Sequence, residues 1–181
     1  LNYFRMVMSR WFHFYSGKFL FFAGDTANPV HTPPYQGVLL LVDFILLPFG
    51  LFNMFRSKVV NRKSLIFVFG WLILAPFSAA ISRDQTNAVR SLNAAIPLVV
   101  FISYGLTSIA DWISTRKYSI VYYLLLSTCY IFSIVYFLDA YFIHLPAHNS
   151  NFWRYGYREA VNYIIPIQDK YENIVFEQSF N

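Results

Sequence analysis

Two arginines, Arg83 and Arg90, lie in one short segment together with Asp84. A guanidinium holds a phosphate through paired hydrogen bonds and stabilises the charge that builds on a leaving phosphate. The same side chains at helix ends can instead snorkel to the lipid–water boundary, and Asp84 can simply neutralise Arg83. Asp25 and His31 form a second pair, six positions apart. They can serve as acid and base, or as part of a metal site. Metal sites take three or more ligands and no third is evident, so no metal or cofactor is expected. The plainer reading is a turn-forming Asp followed by a surface His.

Three more acids, Asp43, Asp111 and Asp139, stand in or beside apolar stretches. A charge in hydrocarbon is expensive, which makes each a functional candidate by default. Asp111 and Asp139 are near stretch ends and can reach water. Asp43 lies about one and a half turns in from Val38. It either faces an internal cavity or pairs with an arginine of the outer loops, and the pairing is preferred. Further on, Trp153, Tyr155 and Tyr157 interleave with Arg154 and Arg158. Such a run can stack on sugars and hold phosphates, but resting on lipid headgroups is the preferred reading. No phosphate-binding glycine loop, nucleophile elbow or metalloprotease motif occurs.

The elements that position these residues are set by composition. The 181 residues are 57% hydrophobic, 21% aromatic and only 13% charged. Soluble domains carry about a quarter charged residues, and disorder needs low hydrophobicity. Cys129 is the single cysteine, which excludes a disulfide scaffold and leaves it as a small apolar filler. The fold class expected is an all-α integral membrane protein with about four transmembrane helices, at 38–55, 65–81, 94–112 and 120–143. Each stretch is long enough to cross about 30 Å of hydrocarbon, and none shows a polar face at helical spacing. Gly50, Gly70 and Gly105 are taken as ordinary membrane-helix composition, with close helix packing the alternative.

Loop 56–64 carries four basic residues and no acid, and loop 113–118 carries two more. The positive-inside rule puts both in the cytoplasm. Segment 1–37, loop 82–93 and tail 144–181 then face outward. Tyr3 to Phe22 is aromatic but interrupted by Arg5, Arg10 and Lys18, so it is expected to lie in the headgroup layer. A loop whose turn residues exclude a helix follows over 24–34. The tail is expected to form the start of a small extracytoplasmic α/β unit, with a helix over 157–171 interrupted by Pro166 and a strand over 173–176. A start at Leu1 and a strand just begun at the end lead to the expectation of a piece of a longer polypeptide. The net charge of +5 sits in membrane-flanking loops, which implies anionic lipid and no nucleic acid.

The string Phe19-Leu20-Phe21-Phe22-Ala23-Gly24-Asp25, then His31, then Gly37 entering an apolar stretch, resembles a family of bacterial membrane glycosyltransferases. These are relatives of the dolichyl-phosphate-mannose protein mannosyltransferases, with the GT-C fold. The likeness continues through Arg90-Ser91-Leu92, Pro97 and Gly105, and resumes at Trp153-Arg154-Tyr155-Gly156-Tyr157-Arg158-Glu159-Ala160-Val161. It covers nearly the whole chain in order and spacing. One departure stands out. The family often has Pro-His-Ala-x-Arg where this chain has Thr86-Asn87-Ala88-Val89-Arg90, so the arginine is present and the proline and histidine are not.

The resemblance implies an enzyme of the bacterial inner (plasma) membrane that moves a sugar from a polyprenyl-phosphate carrier to an acceptor on the outer side. It implies that Arg90 meets the donor phosphate, with Arg83, Asp25 and His31 lining the outer pocket. The family's general base is an acid in the first outer loop of the whole protein, which this segment does not resemble, so no acid here is assigned that role. The rival reading is a non-catalytic four-span scaffold or transporter-like subunit. No internal repeat of the kind transporters show is visible.

Overall fold

The computed structural model describes residues 2–82, 87–153, 156–171 and 173–175. The chain is helical, and no strand occurs among the described residues. Its main helices are α1 (Asn2–His13), α2 (Asp43–Arg56), α3 (Arg62–Ile81), α4 (Leu92–Ser114), α5 (Ser119–Asn149) and α6 (Tyr157–Ile164). Three of these, α3, α4 and α5, are long and apolar enough to cross a membrane, at 20, 23 and 31 residues. They match the expected stretches 65–81, 94–112 and 120–143, with α5 running further at its C-terminal end. Such helices are compatible with an integral membrane protein. At the start of α3, the Asn61 side chain caps the helix by accepting from Lys63 N–H at 2.9 Å.

The expected span 38–55 is corrected. Helix α2 begins only at Asp43 and has 14 residues, about 21 Å of helix. The backbone groups ahead of it are committed elsewhere. Val38 N–H donates to Phe19 O at 3.3 Å and Leu39 N–H to Leu20 O at 2.8 Å. The Asp43 carboxylate accepts Leu40 N–H at 3.1 Å. Asp43 is thus buried against its own backbone, and no arginine among the described residues pairs with it. From α5, the Ser133 hydroxyl accepts Val42 N–H at 3.2 Å and caps α2 from outside.

Helices α2 and α4 cross at two glycines. A Cβ built on Gly50 would overlap the Phe101 carbonyl oxygen and stand 2.8 Å from Gly105 N; one on Gly105 would overlap the Leu46 carbonyl oxygen. Close packing is therefore what these two glycines provide, against the composition reading. Gly70 has nothing within 4 Å, and composition suffices there. Leu46 and Phe101, flanking the crossing, are 1% and 0% exposed.

The N-terminal segment enters the core as well as edging it: Val7, Phe14, Phe19, Leu20 and Phe21 are buried. Its polar tips serve α3. Pro76 has no N–H, so the Leu72 carbonyl loses its helical donor. The Tyr15 hydroxyl donates to that oxygen, and the Trp11 indole N–H donates to Ile73 O at 2.9 Å. Arg10 and Tyr3 reach the carbonyls of Ser82 and Ile81 at the end of α3. Burial raises the Tyr15 phenol from 10.0 to about 12. A raised value means that this contribution is complete below pH 10 and is lost as pH climbs through about 12. Tyr15→Phe is expected to lower stability by about 1 kcal/mol and to make the loss of stability across that alkaline window shallower. Thermal unfolding of the solubilised protein at neutral and alkaline pH measures both.

In the tail, α6 is followed by a 3-10 helix, Ile165–Lys170, which begins beside Pro166 as expected. Residues 173–175 are irregular, so the expected strand is not seen in them, and Phe176 lies outside the described residues.

Candidate functional site: an apolar cavity

A cavity of about 270 Å³ lies where the N-terminal segment, the loop after it and the start of α4 meet. Phe14, Phe19 and Leu20 form one side, Val38 and Leu39 a second, and Ala88 to Leu98 with Pro76 the rest. Nearly all of this wall is apolar. The polar groups in it are His31, Tyr15 and Ser91, and the Ser91 hydroxyl already donates to Ala88 O at 3.0 Å.

Each wall is held by local chemistry. Gly24 adopts φ +57, a left-handed conformation that suits a residue without Cβ, and a Cβ there would collide with Thr32. This turn buries Asp25 completely, at 0% exposed. Its Oδ1 accepts Asn28 N–H at 3.1 Å, and its Oδ2 accepts Ala88 N–H at 2.8 Å. The Asn28 amide also donates to both oxygens at 3.2 Å. Asp25 therefore ties the loop after the N-terminal segment to the turn that opens α4. The expected turn-forming role is present, and Asp25 is not among the residues that line this cavity. His31 ends a 3-10 turn, Pro29–His31, is exposed, and does line it.

Arg90 is exposed and lies between Val89 and Ser91, both of which line the cavity. Its backbone N–H donates to the Asn87 side chain at 3.0 Å, which fixes the turn that carries it. Arg83, with Asp84, lies outside the described residues, as do Arg154 and Tyr155. The structure thus places His31 in the cavity wall, Arg90 on the turn whose neighbouring residues line it, and Asp25 as a fastening between the two loops.

The C-terminal half of α5 fastens the same loop, through residues that the sequence did not single out. Tyr136 OH donates to Tyr35 O at 2.8 Å, and Asn149 donates to Pro29 O at 2.7 Å. Tyr35 is held at φ +66, a strained conformation for a non-glycine residue. Asp139 pairs with His144 at 3.3 Å at a partly exposed position, in keeping with an acid that reaches water. Among the described residues no group of three or more His, Cys, Asp or Glu has metal-holding geometry.

The arrangement is chemically simple. An apolar pocket accepts a hydrocarbon group, and the His31 imidazole in its wall offers a hydrogen bond to a polar head. The sequence matches no protein-family model, and no curated protein or solved structure is similar enough to count as a relative.

Proposed function

We propose that this chain is part of a membrane glycosyltransferase that moves a sugar from a polyprenyl-phosphate carrier to an acceptor on the extracytoplasmic side of a bacterial inner membrane. The observation that carries the reading is the outer cavity: apolar, about 270 Å³, with His31 in its wall and Arg90 on the turn between two of its lining residues. A lipid-linked sugar donor has the matching form, an isoprenoid chain ending in a phosphate. In this reading the chain near the phosphate enters the cavity. Arg90 holds the phosphate and stabilises it as it leaves, while His31 hydrogen-bonds the head. Arg83 belongs to the same outer loop and is proposed as a second phosphate contact. The order of family-like motifs along the chain supports the same assignment.

The topology follows from it. Loops 56–64 and 113–118 face the cytoplasm. Helix α2 serves as a fourth, shallow membrane helix, supported by its exposed apolar side chains Phe44, Ile45, Phe52 and Phe55. The tail belongs to an extracytoplasmic α/β unit.

Arg90→Ala in the full-length protein is expected to lower sugar transfer by about a hundredfold, the scale for losing one transition-state charge partner. The amount of protein in the membrane, measured alongside, separates loss of the phosphate contact from loss of folding. Transfer at the wild-type rate would sink the phosphate role and favour the non-catalytic scaffold.

A further inference from the structure

A second, separate groove of about 570 Å³ lies between α5 on one side and α2 with α4 on the other. Ile45, Leu46, Ile109, Leu125 and Phe132 give it an apolar wall. From Tyr122 to Ser133 it follows α5 for about 16 Å at 1.5 Å per residue. That is close to half of a ~30 Å hydrocarbon core, the depth of one leaflet. Two of its hydroxyls are engaged within the protein: Thr128 donates to Leu124 O at 2.8 Å, and Ser133 accepts Val42 N–H. Along its length the groove offers an occupant apolar contact.

The end of the groove at the α4–α5 turn is different. Trp112 lines it, and the Arg116 guanidinium lies 4.2 Å from the Trp112 ring centroid. Lys117 stands 5.7 Å from the Tyr118 ring. Arg116 and Lys117 are exposed, as is Asp111 on α4, so the turn keeps a positive balance. An apolar trough one leaflet deep, with Arg116 over a lining Trp112 and Lys117 next to it in sequence, complements an acyl chain beneath an anionic headgroup. The outer cavity, at the first turns of α4, is at the other end of that helix.

We propose that this groove seats an acyl chain of one anionic phospholipid, whose phosphate is held by Arg116 and Lys117. The proposal rests on α4 and α5 spanning the membrane, and not on sugar transfer.

The test uses the protein purified in a neutral detergent and titrated with phosphatidylglycerol, phosphatidylcholine or inorganic phosphate, with bound lipid counted by native mass spectrometry. One phosphatidylglycerol is expected to be retained in preference to phosphatidylcholine. Arg116→Gln combined with Lys117→Gln should weaken its binding by about thirtyfold. Cys129→Phe, which fills the groove from an exposed position on its wall, should weaken it with both cations in place. Equal retention of the two lipids, undiminished binding by either variant, or displacement of phosphatidylglycerol by inorganic phosphate would each overturn the proposal. Melting temperatures of the lipid-free variants establish that they fold. Resistance of the wild-type protein to alkaline extraction from membranes tests the spanning reading separately.

Discussion

Replacing Gly105 by leucine is expected to drive α2 and α4 apart and leave little folded protein in detergent. A Cβ at Gly105 would overlap the Leu46 carbonyl oxygen and stand 3.0 Å from Gly50 N. These are backbone atoms, so no change of rotamer relieves the overlap and a helix axis must move. Overpacking costs about 1–3 kcal/mol where side chains can adjust. Here the separation also strips contacts from Leu46 and Phe101, the most buried large side chains of the bundle. The cost should therefore reach at least ~3 kcal/mol, a large share of the ~5–15 kcal/mol that holds a typical domain together. Gly50→Leu should match it, because a Cβ there meets the Phe101 backbone. Gly105→Ala should show the same direction at smaller size. Gly70→Leu is the control: that position is open within 4 Å, and leaving glycine gains up to ~1 kcal/mol of helix propensity. Melting temperature and a monodisperse elution peak separate these cases. A Gly105→Leu protein that melts like the wild type would show that the helices do not cross there.

The contrast among three glycines shows how far the sequence can be read. Long uncharged runs announce α3, α4 and α5, because hydropathy over about 20 residues is a local property. The crossing of Gly50 with Gly105 is not local, and no short repeat marks it. Helix α2 makes the same point. Residues 38–42 are as apolar as the helix they precede, so composition extends the span to Val38. What stops the helix is a pairing of Val38 and Leu39 with carbonyls some twenty residues earlier, together with the Asp43 carboxylate turned back on Leu40. The aromatic N-terminus reads as a headgroup belt from its Tyr, Trp and Arg content. Pro76 does signal that a carbonyl of α3 needs a donor, but which donor answers it is settled by packing. At the outer site, the types of His31 and Arg90 mark them from the sequence alone. The role of Asp25 divides: its turn with Asn28 is legible at a spacing of three, whereas its bond to Ala88 joins segments 63 residues apart.

That long-range bond makes Asp25→Ala the second substitution of large effect. The carboxylate is wholly buried and accepts from Asn28 N–H, the Asn28 amide and Ala88 N–H. Alanine removes the acceptor and leaves these donors inside the protein. An unpaired buried donor costs about 1–3 kcal/mol, and more where its partner was charged. With several donors affected, the expected destabilisation is about 3–5 kcal/mol, the scale for breaking a buried charged network. Asn in place of Asp keeps the shape but puts an NH₂ where an acceptor is needed, so Asp25→Asn should restore only part of the loss. The effect should also be local. In the wild type the Ala88 amide is held by Asp25 and sits in the wall of the cavity. Hydrogen exchange at residues 87–92 should therefore rise in Asp25→Ala well before that of α4, at temperatures where the helices remain folded. If the turn carrying Arg90 is released in this way, the proposed sugar transfer should fall with it, even though Asp25 lies outside the cavity lining. Exchange at Ala88 that stays as slow as in the wild type would remove the tie between the two loops, and with it this account of how Arg90 is positioned.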